Sequence, residues 1–348
     1  MLKFNGFLLL LMAPFIALFI AMSQFQTNAH EMVVHTQAVG HSMDELRSET
    51  EKLGNDISSM GLLIASQFEV FLRQSEALET YTDQSSDYKD LTLDIYEQKI
   101  LDMLGPTTAV HKSDNNEIKI FPLGELGYRG YIAKIKLFKP SSFKVTLGEG
   151  QLGKVEKTSD AAKRTGAVFA VNGGGFYYET KNGVQNARLI GNTVIDGKLV
   201  EPFNGYPGDL FFAGINRNGD FIGTVPKEEK DITKLDAYQG VSFIPVLLKD
   251  GKKAELPGEW AETKQPRTII GKYANDDLII IVVDGRQNDW SVGVTLERLQ
   301  DKLLELGVKD GYNLDGGGSS AMYFDGKLLN KPSDGTERKV INNIIIMP

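Results

Sequence analysis

A carboxylate followed directly by small residues and hydroxyls stands out near the C-terminal end of the sequence. The segment Gly311–Met322 reads GYNLDGGGSSAM, so Asp315 ends an apolar run and precedes glycines, Ser319 and Ser320. Because glycines let a ligand approach the backbone, we expect Asp315 to face an open site. A carboxylate there can act as a nucleophile, as a general base or as a ligand for a hard cation. The alternative is an aspartate that only caps a turn.

A second glycine-rich loop, AVNGGGFY, follows an apolar strand at Ala170–Tyr177. Asn172 offers an amide, and Gly173 and Gly174 expose backbone N–H groups, which suit a phosphate or a sugar hydroxyl without any lysine. The alternative is a turn in which Asn172 satisfies only backbone groups.

Three arginines occur next to predicted strands. Arg267 precedes one strand, Arg286 follows Asp284 at the end of the next, and Arg338 precedes the last. A guanidinium is planar and permanently charged, which favours bidentate recognition of phosphate. Taken singly, each arginine would be read as a surface ion pair. Together with Asp284 and Asp315, they indicate an anionic ligand that undergoes carboxylate-assisted chemistry.

Several chemistries are excluded by composition. The chain has no cysteine, so thiolate catalysis and cysteine-based metal sites are absent. Its histidines are His30, His35, His41 and His111, and none follows. A histidine base therefore requires His111 to fold back onto the site. Neither glycine loop has the residues of a phosphate-binding P-loop or of a dinucleotide fingerprint. The net charge of −8 argues against nucleic acid as a partner.

The N-terminal segment predicts export. Residues 7–22 read FLLLLMAPFIALFIAM and follow Lys3. Their length lies between a secretory signal and a spanning helix. We assign residues 1–29 to a signal peptide or signal-anchor. The C-terminal domain is then expected outside the cell. It is anchored in the membrane by a single transmembrane segment, or it is secreted if the chain is cleaved at Ala29.

Residues 30–105 are predicted to form a helical stalk. Apolar residues from Met43 to Leu78 recur at three- and four-residue steps, the spacing of a coiled-coil seam that would make homo-oligomers. Gly54 and Gly61 weaken this pattern. The alternative is an amphipathic helix that folds back on the following domain. Gly105 and Pro106 mark the end of the helix.

Residues 106–348 predict an α+β domain with a mixed, mostly antiparallel sheet and a few helices. Short β-branched runs alternate with glycine and Asp-Gly turns, and helices are expected at Thr158–Arg164 and Val294–Leu306. We predict strands at Ile118–Phe121, Tyr131–Phe138, Lys144–Leu147, Val168–Val171, Thr193–Ile195, Gly240–Leu248, Leu278–Val283 and Ile341–Met347.

The motifs occur in the order seen in phosphodiester glycosidase domains, which this chain resembles from about Glu117 to Pro348. The matching segments are Ala170–Gly174, Pro266–Thr268, Asp284–Arg286, Thr295–Glu297, Asn313–Ser320, and Arg338 with Val340 and Asn342. The sequence departs from the family at Gly175, where an aromatic residue is usual, and at Lys339 and Ile341, where proline is common.

The resemblance implies hydrolysis of a sugar-1-phosphodiester between the anomeric carbon and a phosphate oxygen. An oxocarbenium-like transition state needs a nearby carboxylate, and arginines can stabilise the departing phosphate. On this basis Asp315 and Asp284 share the nucleophile and base duties in open order. Glu297 is a reserve catalytic candidate, with helix-end stabilisation as its alternative. The predicted substrate-binding residues are Asn172, Gly173, Gly174, Arg267, Thr268, Arg286, Gly317, Ser319, Ser320, Arg338 and Asn342.

Two other functions fit the same residues. One is a non-catalytic exported module that binds anionic glycans, and the other is a metal-dependent phosphodiesterase that cleaves the P–O bond. The topology favours a phosphorylated glycan or sugar-phosphodiester at the cell surface or in exopolysaccharide as the substrate. The sequence leaves open the sugar, the aglycone, the stereochemical course and whether Ca²⁺ or Mg²⁺ assists.

Overall fold

The computed structural model of the chain describes residues 36–181, 183–205, 208 and 210–348. The predicted membrane segment and the candidate cleavage site at Ala29 lie outside these residues. Within the described part of the chain, no helix combines the length and the apolar character needed to cross a bilayer.

A long helix, α1, spans Thr36–Leu104. It ends where the sequence predicts, because Gly105 adopts a positive φ of 79° and its N–H donates to Leu101 O at 2.9 Å. The side chains of residues 43–74 are almost all exposed, including Leu53 and Ile57 at 60% and 61%. The helical prediction is confirmed, whereas the coiled coil stays a prediction.

The compact C-terminal unit begins at Lys89, before the predicted boundary at Pro106. The last turns of α1 belong to this unit because Ile100 and Leu104 are buried in its core. Lys134 Nζ also donates to Glu97 Oε1 at 2.9 Å. These contacts explain why the unit includes part of the helix.

The α+β prediction with mostly antiparallel strands is confirmed, and the sheets are not mixed, because every strand pairing in the described residues is antiparallel. An eight-stranded sheet has the order β1-β2-β3-β16-β15-β17-β13-β14. Its strands are β1 Ala109–Lys112, β2 Asn116–Glu125, β3 Tyr128–Leu137, β13 Val246–Lys249, β14 Lys252–Lys253, β15 Arg267–Lys272, β16 Leu278–Val283 and β17 Asp310–Asn313.

Two five-stranded sheets have the orders β11-β10-β12-β8-β9 and β19-β18-β5-β20-β4, and β6 pairs with β7 as a hairpin. Their strands are β4 Phe143–Leu147, β5 Phe169–Asn172, β6 Phe176–Lys181, β7 Val184–Leu189, β8 Val194–Ile195, β9 Lys198–Leu199, β10 Phe211–Asn216, β11 Phe221–Thr224, β12 Ala237–Phe243, β18 Met322–Phe324, β19 Lys327–Leu328 and β20 Asn342–Ile346.

Both faces of β16, in the middle of the eight-stranded sheet, are buried. On β16, Ile280 and Val282 enter the core between the sheets, whereas Ile279 and Ile281 pack on the other side with Leu299 of a helix. This two-residue alternation within a continuous apolar run is what a strand covered on both faces requires.

Four further helices are α2 Thr158–Thr165, α3 Glu229–Thr233, α4 Gly258–Ala261 and α5 Leu296–Glu305. The predicted helices at Thr158–Arg164 and Val294–Leu306 correspond to α2 and α5. Thr295 caps α5 by accepting a hydrogen bond from the Arg298 N–H at 3.2 Å, which fixes its start two residues later than predicted from apolar spacing.

One strand prediction is wrong. Gly240–Leu248 is not a single strand, because β12 ends at Phe243, Pro245 follows, and β13 joins a different sheet. Proline lacks an N–H and interrupts the ladder. The three predicted Asp-Gly hairpins are present, and at Asp196-Gly197, Asp250-Gly251 and Asp325-Gly326 both residues have positive φ.

Candidate active site

The candidate site forms where strand ends from two sheets meet. Asn172 ends β5 in one sheet, and Asn313 ends β17 in the other. The Asp315 N–H donates to Gly173 O at 3.2 Å, and the Leu314 N–H donates to Thr268 O at 2.8 Å. The two glycine loops predicted from sequence are therefore held side by side by their backbones.

Asp315 is the carboxylate at the centre of this junction. Its side chain lies deep among protein atoms but the residue keeps partial contact with solvent. Burial raises the pKa of the Asp315 carboxyl to about 6, against the opposing effects of the nearby Ser319 hydroxyl and Arg338 guanidinium. A carboxylate that has a raised pKa and keeps partial contact with solvent is suited to react with a ligand.

Ser319 supplies a buried hydroxyl beside Asp315. Its Oγ has no hydrogen-bond partner of good geometry among the described residues, although it lies near enough to lower the pKa of the Asp315 carboxyl. The residue is 1% exposed. Because a buried hydroxyl without a partner is costly, a ligand oxygen is a natural partner for this group.

Two exposed guanidinium groups lie on the glycine segment that follows Asp315. A β-carbon at Gly317 would lie 3.2 Å from Arg286 Nη2, and one at Gly318 would overlap Arg338 Nη2. Arg286 Nε donates to Gln265 Oε1 at 2.8 Å, which leaves its terminal nitrogens toward Gly317. The pair forms a positively charged cradle beside Asp315 that suits a phosphate group.

Arg267 is placed differently from the other two arginines. It is 4% exposed, its Nη2 donates to Thr263 O at 2.8 Å, and burial with the charge of Arg286 lowers its pKa to about 10. Gly317 N–H donates to Pro266 O, immediately before it. The backbone at Pro266 and Arg267 therefore lies next to the glycine segment, whereas the Arg267 guanidinium is buried and donates to the carbonyl groups of Thr263 and Val294.

Asn172, Thr268 and Ser320 form a buried network behind Asp315. Asn172 Oδ1 accepts hydrogen bonds from Thr268 Oγ1 at 2.9 Å and from the Ala321 N–H at 3.1 Å, and its Nδ2 donates to Asp315 O. Thr268 Oγ1 also lies 3.3 Å from Ser320 Oγ. All three are buried, so they hold the loop that carries Asp315.

Asn342 performs the same task for the other glycine loop. Its Oδ1 accepts a hydrogen bond from the Gly174 N–H at 2.8 Å, and a β-carbon at Gly173 would overlap that oxygen. Gly173 is therefore required by the close approach of two chain segments. The Asn342 Nδ2 group donates to Thr193 Oγ1 at 3.4 Å, so both ends of the Asn342 amide bond to other parts of the protein.

Asp284 is buried behind the site. Its Oδ1 accepts from Asn330 Nδ2 at 3.0 Å and from the Lys331 N–H at 2.9 Å, and its Oδ2 accepts from Trp290 Nε1 at 2.8 Å. Burial raises the pKa of Asp284 in spite of these bonds. With 1% exposure and its oxygens occupied, Asp284 is suited to tying loops together, and the geometry favours Asp315 as the reacting group.

Glu297 lies on the first turn of α5 and is exposed. None of the hydrogen bonds or ion pairs found among the described residues connects it to Asp315, and its position fits the helix-end alternative. His111 lies on β1, an edge strand of the eight-stranded sheet, four strand positions from β15 and therefore about 19 Å from it at the usual strand spacing.

Sequence reasoning missed several supporting residues. Trp290 and Asn330 hold Asp284, Gln265 holds Arg286, and Asp334 Oδ2 lies 3.3 Å from Arg338 Nη2. These side chains come from loops, where no periodic pattern marks them. Within the described part of the chain, no group of three or more histidine or acidic residues is arranged to hold a metal ion.

The family model for phosphodiester glycosidases matches residues 165–347, about half of the chain. The chain belongs to the phosphodiester glycosidase family. The matched region contains Asn172, Asp315, Arg286 and Arg338, so the resemblance seen in the motifs is confirmed and the candidate site lies within the family domain.

Relatives of this phosphodiester glycosidase domain include an enzyme and a protein without an assigned role. The chain is 29% identical over 191 residues to N-acetylglucosamine-1-phosphodiester alpha-N-acetylglucosaminidase of Bos taurus, covering 50% of this chain and 34% of the relative. It is 31% identical over 199 residues to the SPbeta prophage-derived uncharacterized protein YomE of Bacillus subtilis (strain 168), covering 55% and 29%. The chain thus spans about a third of the length of these curated relatives.

A solved structure has a similar fold. The catalytic domain of zebrafish N-acetylglucosamine-1-phosphodiester alpha-N-acetylglucosaminidase, auto-inhibited by its pro-peptide, is 25% identical with a TM-score of 0.56. The similarity covers 70% of this chain and 87% of that domain. This chain therefore matches most of the catalytic domain of the zebrafish protein in fold.

Proposed function

We propose that this domain hydrolyses a sugar-1-phosphodiester by breaking the bond between the anomeric carbon and the phosphate oxygen. One observation carries the proposal: the Asp315 carboxyl lies beside a glycine segment covered by the Arg286 and Arg338 guanidiniums. The activity in the printed name of the bovine relative supports it.

The arrangement supports a division of labour across the scissile bond. Arg286 and Arg338 bind the phosphate and stabilise the negative charge that it gains as the C–O bond breaks. Asp315 stands on the sugar side, where the anomeric carbon gains positive charge. The electron pair of the broken bond stays on the phosphate oxygen, and water supplies the new oxygen at the anomeric carbon.

Asp315 acts in its ionised form in either of two ways. As a nucleophile, it bonds to the anomeric carbon and is displaced by water in a second step. As a base, it takes the proton from the attacking water directly. The first course retains and the second inverts the anomeric configuration. Ser319 donates its hydrogen bond to a substrate oxygen, while Asn172, Thr268, Ser320 and Asn342 hold the loops in place.

Hydrolysis in ¹⁸O-labelled water tests which bond breaks. Incubating the full-length chain with methyl N-acetylglucosaminyl phosphate should put label in the sugar hydroxyl, which mass spectrometry detects. Label in the phosphate would instead identify P–O cleavage. Asp315→Asn should abolish turnover while the exposed-loop control Asp325→Asn retains it.

The rival function, a glycan-binding module, makes a different prediction for the same variant. If the domain only binds anionic glycans, wild-type protein releases no sugar over long incubation, and Asp315→Asn changes affinity alone. Wild-type turnover that disappears in Asp315→Asn with affinity retained supports the enzyme.

We also propose that the domain works outside the cell on phosphodiester-linked glycans of the surface or exopolysaccharide. The apolar segment at residues 7–22 supports export. Protease added to intact cells should degrade a C-terminally tagged chain while a cytoplasmic marker survives. The N-terminal sequence of the mature protein distinguishes an anchored chain, which keeps residues 7–22, from one cleaved at Ala29.

Self-association through α1 is a further part of this proposal. The apolar side chains of Leu46, Leu53, Ile57, Met60 and Ile64 are all at least half exposed and follow heptad spacing. A single helix gains little stability in water unless its apolar face is covered. Cross-linking of the full-length chain should trap oligomers, and Leu53→Glu with Ile57→Glu should remove them. A wild-type chain that remains monomeric would favour a helix without a partner copy.

A further inference from the structure

An acidic side chain lies inside the arginine cradle, although the proposed reaction does not use it. Asp334 Oδ2 is 3.3 Å from Arg338 Nη2, and a β-carbon at Gly318 would overlap both side chains. Asp334 Oδ1 accepts a hydrogen bond from Ser333 Oγ at 3.0 Å. Asp334 therefore lies over the segment where the phosphate is expected to bind.

The acid is close to both arginines and is ionised. The hydrogen bond from Ser333, followed by the charges of Arg338 and Arg286, lowers the pKa of the Asp334 carboxyl. The side chains of Asp334 and Arg338 are 48% and 45% exposed, so an incoming ligand meets them at the mouth of the site. Two guanidiniums and one carboxylate give this cradle a net charge of about one positive unit.

The net charge of the cradle suits a singly charged phosphate better than a doubly charged one. A phosphodiester carries a single negative charge, whereas a phosphate monoester carries nearly two above its second pKa of about 6. The second charge of a monoester would meet the carboxylate of Asp334, and at the same pH the ionised Asp315. Because the Coulomb energy is proportional to the ligand charge, one carboxylate penalises a dianion about twice as much as a monoanion at the same place.

We propose that Asp334 is a specificity residue that makes the site prefer a phosphodiester monoanion over a phosphomonoester dianion. The inference rests on the proposed function, in which the diester is the substrate and the monoester is the product. Repulsion of the product dianion would also speed its release. The alternative is that Asp334 only orients Arg338, in which case its loss weakens the binding of every phosphate.

Two small phosphates separate these alternatives without requiring turnover. Dimethyl phosphate has one charge and methyl phosphate has two at pH 8. Their dissociation constants are measured by calorimetry for the full-length wild-type chain, for Asp334→Asn and for Asp325→Asn. The last variant removes the same charge from an exposed hairpin turn and so controls for the change in net charge.

A unit charge several ångströms from the ligand in water changes binding about threefold per ligand charge. Asp334→Asn should therefore tighten dimethyl phosphate about threefold and methyl phosphate about tenfold, and Asp325→Asn should change neither. At pH 5 methyl phosphate is a monoanion, so the two ligands should respond equally there. Added salt should reduce all of these effects.

Three results would overturn the inference: equal tightening of the two ligands at pH 8, weaker binding of both, or no binding of dimethyl phosphate to the wild-type chain. The outcome is separate from that of the proposed function. If Asp334→Asn tightens the two ligands as expected but the chain hydrolyses no diester, only the proposed reaction is refuted. Diester hydrolysis without the charge-dependent pattern would refute only the role of Asp334.

Discussion

The guanidinium of Arg338 lies against the backbone of Gly318, in space that any β-carbon at that position would occupy. Gly318 therefore matters because it has no side chain, which leaves room for the guanidinium of Arg338. Its φ is not positive, so its conformation is open to other residues, and the need for glycine comes from the side chains of Arg338 and Asp334. The contact holds Arg338 close enough to Asp315 to lower the pKa of its carboxyl, and in the proposed mechanism Arg338 binds the phosphate.

Gly318→Ala should leave the fold intact and weaken the site. The new methyl group pushes aside the end of a flexible, exposed side chain, so we expect little change in melting temperature. Because a lost charge-stabilising contact costs about 10²-fold or more in rate, kcat/KM should fall by roughly that factor. Gly124→Ala is the matched control, since a β-carbon there meets no atom within 4 Å. Equal activity of the two variants would contradict the assigned role of Arg338.

The pH dependence of activity should report the ionisation of Asp315. In the proposed mechanism the reaction needs the Asp315 carboxylate, and burial raises the pKa of this group to about 6. We therefore expect kcat/KM to fall about tenfold per unit as the pH drops below that value. Arg338→Gln removes a charge that favours the carboxylate, so the midpoint should move to higher pH. A rate that rises towards acid pH would instead identify Asp315 as a proton donor.

Asp315→Asn should stabilise the protein while abolishing turnover. The folded-state pKa of Asp315 lies about two units above the unfolded value, so the ionised group destabilises the fold above pH 6 by up to about 3 kcal/mol. Most of this penalty is lost as the pH falls from 6 to about 4, where the carboxyl is protonated in the folded state and about half protonated in the unfolded state. Chemical denaturation at pH 8 and at pH 4 measures it. A variant that is no more stable at pH 8 than the wild type would count against burial as the cause of the raised pKa.

Asn172→Ala should destabilise the domain. The change leaves the Thr268 hydroxyl and the Ala321 N–H without their buried acceptor and Asp315 O without its donor. Each buried polar group without a partner costs about 1 to 3 kcal/mol, so we expect a loss of several kcal/mol in the free energy of unfolding. The exposed substitution Asn218→Ala serves as a control. If Asn172→Ala unfolds like the wild type but has a raised KM, the amide contacts substrate directly.

Much of the secondary structure could be predicted from the sequence, because it depends on interactions between residues close together in the chain. Gly105 ends α1, the Asp-Gly pairs form tight hairpins, and the apolar run at β16 is a strand, because each feature depends on neighbouring residues. The glycine motifs around Asn172 and Asp315 also predicted two loops whose backbones approach other parts of the molecule closely. The backbone hydrogen bond from Asp315 to Gly173, which joins the two loops, could not be predicted because it forms only where two sheets meet.

The sequence by itself determined which residue types were available: carboxylates and arginines in a domain without cysteine and with His111 at its edge. Only the tertiary structure decided which of them face a ligand. Asp284 and Asp315 look alike in sequence, but packing buries the first among three donors and leaves the second partly open. Likewise Arg267 is buried while Arg286 and Arg338 are exposed. Exposure and hydrogen-bond partners are set by segments far away in the chain, which no local pattern encodes.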